Sequence, residues 1–397
     1  MNCKPNINNA LVYDIGLAMI RAGHAGEGFP SISQPSCVAT KPNPENGELN
    51  LYFNDNYLYS NTQHFDVSCL VNESYFINDP TLFTKYLNWT YNYLSVDPTD
   101  RNVLFTRPAH LASSDHNLLW SKNLCEICFE TIGHPSVCIT PDATLASYAH
   151  CVQTSLVVDF GWSCVRVIPV LEGKIQPDYA QVHPIGGLVL SQLLCEQLKS
   201  RLDSTMPNEK SLNPEKNENA LRRSEGQVEL YKRKITTDII HTCCTFARNT
   251  IDEDYLYFLP GQSPADMKRE MKLMSSLHFQ LIGEDDKKEN LLPELIKKSI
   301  DLSPDDYKRN LWNNIVTSGG FSSLNSFIAK LQNELKKIAD PTFDVKVHYP
   351  MHQAIAGDFL VWTGGSIFAS SSIFPNFCVS KSEYQENGES IVRVKCS

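Results

Sequence analysis

Leu11-Val-Tyr-Asp14-Ile-Gly16-Leu-Ala-Met-Ile-Arg21 and Leu156-Val-Val-Asp159-Phe-Gly161-Trp-Ser-Cys-Val-Arg166 lie 145 residues apart and agree at five of eleven positions, the Asp and the Gly among them. Each copy reads as an apolar strand, a tight turn centred on Asp-x-Gly and a second apolar strand, a hairpin with a carboxylate at its tip. Such a duplication predicts two similar lobes. A second echo supports it. Ile315-Val-Thr-Ser-Gly319-Gly320 and Leu360-Val-Trp-Thr-Gly364-Gly365 each predict an apolar stretch that passes through Gly-Gly toward a helix. After the first of these, Leu324, Phe327, Ile328, Leu331, Leu335 and Ile338 recur at helical spacing, with Lys336 and Lys337 suited to a helix C-terminus, and Val345, Val347 and Tyr349 alternate as in a strand.

The chemistry is set by the turns. Backbone N–H groups beside a turn glycine can cradle phosphates, and an Asp at the tip can hold a divalent cation through water. Two such turns facing each other form a clamp, to which Asp14, Gly16, Asp159 and Gly161 contribute. Gly319 and Gly320 would let backbone approach a nucleotide closely, because a side chain there would collide. A single Asp-x-Gly turn is usually structural; two copies with Gly-Gly segments in order say more.

The 397 residues are 42% apolar, enough for a large core in two lobes. Lys and Arg total 35 against 45 Asp and Glu, a net charge of −10 that speaks against direct nucleic-acid binding or an anionic membrane surface. No apolar run approaches the ~20 residues of a spanning helix. Thirteen cysteines run from Cys3 to Cys396 without the dense pairing of a secreted scaffold, and no secretory signal pattern precedes the first strand, so a reducing cytosol or nucleus is expected. Asn72-Glu-Ser74 and Asn88-Trp-Thr90 are chance glycosylation triplets on this reading. Cys125-Glu-Ile-Cys128 has no partner pair and reads as buried helical cysteines, and His241 as a core histidine. The polar stretches 200–226 and 283–290 and the loop Pro42 to Gly47 read as surface.

Over nearly its whole length the sequence resembles the actin family, within the sugar-kinase and heat-shock ATPase superfamily. Asp14-Ile-Gly16 with Ala22-Gly23-His-Ala25-Gly26-Glu27 and Phe29-Pro30-Ser31-Ile32 is similar to actin's first phosphate loop and the stretch after it. Tyr257-Phe-Leu-Pro-Gly-Gln262, Val361-Trp362-Thr-Gly364-Gly365-Ser366-Ile367-Phe-Ala369-Ser370 and Ser380-Lys381-Ser-Glu383-Tyr384 are similar to later actin segments. The resemblance implies an α/β actin-like ATPase fold of two similar lobes around a nucleotide cleft. Residues 1–153 and 356–397 form the first lobe (34–78 a small subdomain). Residues 154–355 form the second (about 186–270 a small subdomain carrying the insertion 200–226). It implies ATP or ADP with a divalent cation held through Asp14 and Asp159.

Departures from the family pattern weaken that chemistry. Leu17 and Ala18 stand where actin has a serine and a glycine. Trp162 and Ser163 replace an aspartate and a glycine of the second loop, which removes a metal ligand. Asp142, after Pro141, takes the place of the water-positioning glutamine. Ile240, His241 and Asp358 replace nucleotide-pocket residues, and Val189 an aspartate. The expectation is a subunit with no enzymatic role. Asp97-Pro-Thr-Asp100-Arg101-Asn-Val103, Ile168-Pro169-Val-Leu-Glu172-Gly173 and Pro184-Ile-Gly186-Gly187 resemble the pointed-end actin-related subunit of dynactin. This implies a cytoplasmic, cytoskeletal cap that meets a filament-forming actin-related protein and other dynactin subunits, in support of dynein-driven microtubule transport. The alternative left open is a nuclear actin-related subunit of a chromatin-remodelling or histone-acetyltransferase complex, sitting on a remodeller ATPase helix with actin. Neither reading involves a membrane or direct nucleic-acid contact.

Overall fold

The computed structural model describes residues 10–53, 55–59, 64–72, 75–109, 115–205, 224–243, 256–259, 265–266, 291–324, 326–348 and 357–396. The first copy of the repeat forms β1 (Ala10–Ile15) and β2 (Met19–His24), paired antiparallel so that Asp14 faces Arg21. Next come β3 (Ile32–Pro35), β4 (Cys37–Pro42), β5 (Leu49–Tyr52), β6 (Asp66–Cys69), β7 (Asn102–Arg107) and β8 (Ser136–Pro141). The second copy forms β9 (Ser155–Phe160) and β10 (Val165–Leu171), with Asp159 facing Arg166 in the same register. β11 (Lys174–Ile175), β12 (Gln181–His183), β13 (Leu256–Tyr257), β14 (Ala265–Asp266), β15 (Ile315–Ser318), β16 (Val347–His348) and β17 (Val379–Ser380) complete the strands described.

Two large sheets result, in the orders β17-β8-β7-β1-β2-β3 and β11-β10-β9-β15-β16, with β12 on β10. In both, the hairpin's first strand pairs parallel with a later strand, β1 with β7 and β9 with β15, so the repeat in sequence is a repeat in topology. β1 and β9 are buried at every position, which explains their continuous apolar runs: a central strand covered on both faces has no polar side. Each sheet has its own core, one around Leu11, Phe83 and Phe105, the other around Leu156, Phe160 and Phe327. The helix Phe327–Ile338 buries Phe327, Ile328, Leu331 and Leu335, as its spacing predicts, and carries Lys336 and Lys337 in its last turn; Val347 is in β16 and Val345 is buried beside it.

The second Gly-Gly pair is not a strand-to-helix turn. Gly364 and Gly365 lie inside the helix Leu360–Ala369, where it crosses the helix Asp142–Ala149. A Cβ on Gly364 would sit 1.8 Å from the Leu145 carbonyl oxygen, so the glycine serves helix contact. Trp362 on the same helix donates its indole N–H to the Val12 carbonyl at 3.1 Å, which fixes the helix to β1.

Cys125 and Cys128 are buried at the end of a helical run, in the first core. The polar stretch 200–226 begins in the helix Lys199–Thr205 and ends in the helix Glu225–Cys243; 206–223, 283–290, Tyr349 and 260–262 lie outside the described residues. Among the described residues no helix is long and apolar enough to cross a membrane.

Where the chain passes between sheets, the His150 ring lies tilted beside that of His348, centroids 5.5 Å apart. Burial, then the neighbouring His348, depresses the His150 pKa from 6.5 to about 4. A depressed base takes up its proton more readily unfolded. Its contribution is therefore full above pH 6.5 and lost as pH falls toward 4, about 3 kcal/mol at most. Denaturant unfolding of His150→Gln across this range is expected to show a shallower loss of stability than the parent.

Candidate functional site

A cavity of about 800 Å³ opens between the hairpin turns, the helix Glu225–Cys243 and Gly319–Gly320. That volume suits a nucleotide-sized ligand. The four glycines among the expected site residues divide by role. Gly16 and Gly161 make the two turns tight, their amides donating to Met19 and Cys164 carbonyls at 3.0 and 3.1 Å. Their turn neighbours Leu17, Ala18 and Trp162 line the cavity with them. Gly319 has a positive φ of 86°, and a Cβ there would lie 2.2 Å from the Phe160 carbonyl oxygen, so it is required by β9 rather than by a ligand. Gly320 is different. Its Cβ position meets nothing closer than His241 at 3.7 Å, leaving the open backbone approach the sequence suggested.

The two aspartates are held by matching triads. Asp14 accepts from Thr106 Oγ1, on the adjacent parallel strand β7, and from Arg21 across its hairpin, both at 3.2 Å. Asp159 accepts from Ser318 Oγ, on the adjacent parallel strand β15, at 2.7 Å and from Arg166 across its hairpin through Nε at 3.0 Å and through Nη2. Arg166 also reaches over the cleft, its Nη1 2.8 Å from Asp142 Oδ2 at the start of the helix after β8. Asp142 Oδ1 accepts from the Ala109 and Ala143 amides at 3.0 and 2.7 Å. Burial raises the Asp14 pKa against the pull of Arg21, and raises that of Asp142 against Arg166. Burial works against the charge of Arg166 as well, but Asp142 and Asp159 together outweigh it and keep the guanidinium firmly protonated.

Other substitutions find new uses. Trp162 lies under the Arg233 guanidinium, 3.9 Å from its ring centroid, a cation–π stack at the second turn. Ser163 meets the Tyr75 hydroxyl at 3.2 Å. Farther out, Gln227 donates to the Tyr57 carbonyl at 3.2 Å and accepts the Phe65 amide at 3.1 Å, while Leu230 packs with Cys37, Ala39, Leu58 and Phe65. Contacts thus cross the cleft from its floor to its mouth. Ile240 is buried, whereas His241, expected in the core, is exposed and lines the cavity; the helix turns the one inward and the other outward. Asp358 also lines it, 3.9 Å from Arg21.

The fold, the duplicated hairpins and the cleft have a family counterpart, since a family model described as Actin matches residues 6–397. The chain belongs to the actin family. Among curated relatives, Actin-related protein 4 of Arabidopsis thaliana is 24% identical over 447 residues, covering 98% of each chain. Actin-related protein 3 of Oryza sativa subsp. indica is 26% identical over 442 residues, 97% of this chain and 96% of its own. Actin-related protein 3 of Dictyostelium discoideum is 25% identical with the same coverage. Similarity at this level to differently named actin-related proteins makes the chain an actin-related protein without choosing one role. For an actin-family cleft, the volume here fits a nucleotide and the Gly320 backbone is open to it, while the Gly16 and Gly161 amides are spent within their own turns. Asp14 and Asp159, the acids expected to hold its divalent cation, are engaged by Arg21 and Arg166, whereas Asp358 keeps one buried oxygen without a hydrogen bond among the described residues.

The arginines are what the sequence reading missed. Arg21 and Arg166 are among the five identities of the repeat, and antiparallel pairing of a short hairpin sets them opposite the aspartates.

Proposed function

We propose that this protein is a non-catalytic structural subunit that caps the end of a filament of another actin-related protein, as the pointed-end subunit of dynactin would, in the cytoplasm. One observation carries the non-catalytic part. Asp142, the replacement for the water-positioning glutamine, spends one oxygen on Arg166 and the other on two backbone amides. Hydrolysis needs an oriented water and a metal-stabilised leaving group, and the side chains for both are tied up within the protein. The capping part rests on the sequence resemblance and on three exposed apolar side chains close together in sequence. Ile367, Ile373 and Phe377, on and just beyond the helix Leu360–Ala369, are 47%, 53% and 50% exposed, as suits a surface that a partner covers. Purifying the tagged endogenous protein and identifying what accompanies it by mass spectrometry tests this. A filament-forming actin-related protein with dynein-activator subunits is the expected result; a helicase ATPase with histone-handling subunits would replace the reading with the nuclear one.

A further inference from the structure

The cleft floor contains the acids a divalent ion would use, in contact with a cation that belongs to the chain. Arg166 stands on β10 opposite Asp159, close enough to bond it through Nε and Nη2 while Nη1 bonds Asp142. Its side chain is only 7% exposed, and those of Asp159 and Asp142 are 11% and 15%. The remaining oxygens of both acids have donors in Ser318, Ala109 and Ala143. A third acid, Asp14, is satisfied by Thr106 and Arg21. Every carboxylate oxygen of the three acids therefore has a partner from the chain. A guanidinium forks planar bonds to two acids at once, and it fills the space between them that an ion with its waters would need. A divalent ion beside it would also meet like charge in a poorly screened site.

We infer that Arg166 is the resident cation of this cleft: it replaces the divalent ion, joins the acid of one sheet's helix to the acid of the other sheet's hairpin, and holds the two lobes together without metal. The position matters because Asp142 follows β8 of the first sheet, whereas Asp159 and Arg166 belong to the second. One side chain thereby adds a charged bridge to the Tyr75–Ser163 and Gln227 contacts that also cross the cleft. The inference deepens the non-catalytic reading and can fail separately from it, since a metal-stabilised chain without turnover would sink the first and spare the second.

Thermal unfolding of the full chain in EDTA, in millimolar Mg²⁺ and in millimolar Ca²⁺ provides the test. The parent is expected to show one midpoint in all three. Arg166→Gln, which empties the guanidinium site and leaves both acids, is expected to unfold several degrees lower in EDTA and to regain part of that on adding either ion. Arg166→Lys keeps a charge and is expected to stay indifferent to the ions. A parent midpoint that falls in EDTA and returns with Mg²⁺ or Ca²⁺ overturns the inference, as does a folded Arg166→Gln that ignores both ions. Should Arg166→Gln not fold, equilibrium dialysis of the parent against Mn²⁺ decides: no bound ion supports the inference, and one ion per chain that Asp159→Asn abolishes refutes it.

Discussion

Gly364→Ala is expected to destabilise the protein by about 3 kcal/mol or more and to lower its thermal midpoint by about 5 °C or more. The added Cβ would lie 1.8 Å from the Leu145 carbonyl oxygen, 2.6 Å from its carbon and 3.2 Å from the Ala149 nitrogen. All three are backbone atoms of the helix Asp142–Ala149, so no rotamer change relieves the clash. The two helices must part, loosening the cluster of Val12, Leu104, Leu145, Trp362 and Phe368 and straining the Trp362 bond to Val12. The gain from exchanging a helical glycine for alanine is about 1 kcal/mol and does not offset this. Gly28→Ala is the control, since no atom lies within 4 Å of its added Cβ, and it should stay within about 0.5 kcal/mol of the parent. Equal stability of the two variants in chemical denaturation would contradict the close packing of these helices.

Arg166→Met should have an effect of similar or larger size, about 3–5 kcal/mol, because it leaves Asp142 and Asp159 buried without their shared counter-charge. The loss has a pH signature. Burial already raises the Asp142 pKa above 3.8, and removing Arg166 removes the main pull in the other direction. A folded-state pKa raised above the unfolded one means a penalty that is full at neutral pH and relieved as pH falls through the raised value. The gap between parent and variant is therefore expected to narrow on acidification. Adding Asp142→Asn and Asp159→Asn to Arg166→Met should recover part of the stability at pH 7, whereas additive losses in urea unfolding would show that the three side chains do not act as a unit.

What was legible in the sequence came from local pattern. The hairpins announce themselves through an Asp-x-Gly flanked by apolar runs, and their repetition gives two sheets of matched topology. The helix at Phe327–Ile338 is readable from the spacing of its apolar side. What was illegible depended on register and on distance across the fold. Pairing of Asp159 with Arg166 needs the hairpin register, and that of Arg166 with Asp142 needs two sheets to meet, which no window of sequence displays. Gly364 misled for the same reason: the Gly-Gly pattern is shared with Gly319-Gly320, but what each glycine avoids is a neighbour from elsewhere, Leu145 in one case and Phe160 in the other. His241 next to the buried Ile240 shows the limit of judging a histidine by its type, since the helix phase sets which of the two faces the cleft.

If the chain has kept an actin-family cleft and lost its turnover, the purified protein should not hydrolyse ATP. Phosphate release from ATP with Mg²⁺ present, measured beside an Asp142→Asn/Asp159→Asn variant, decides the matter. The parent is expected to release no more phosphate than the variant; sustained release that the parent shows and the folded variant lacks would contradict a non-catalytic cleft.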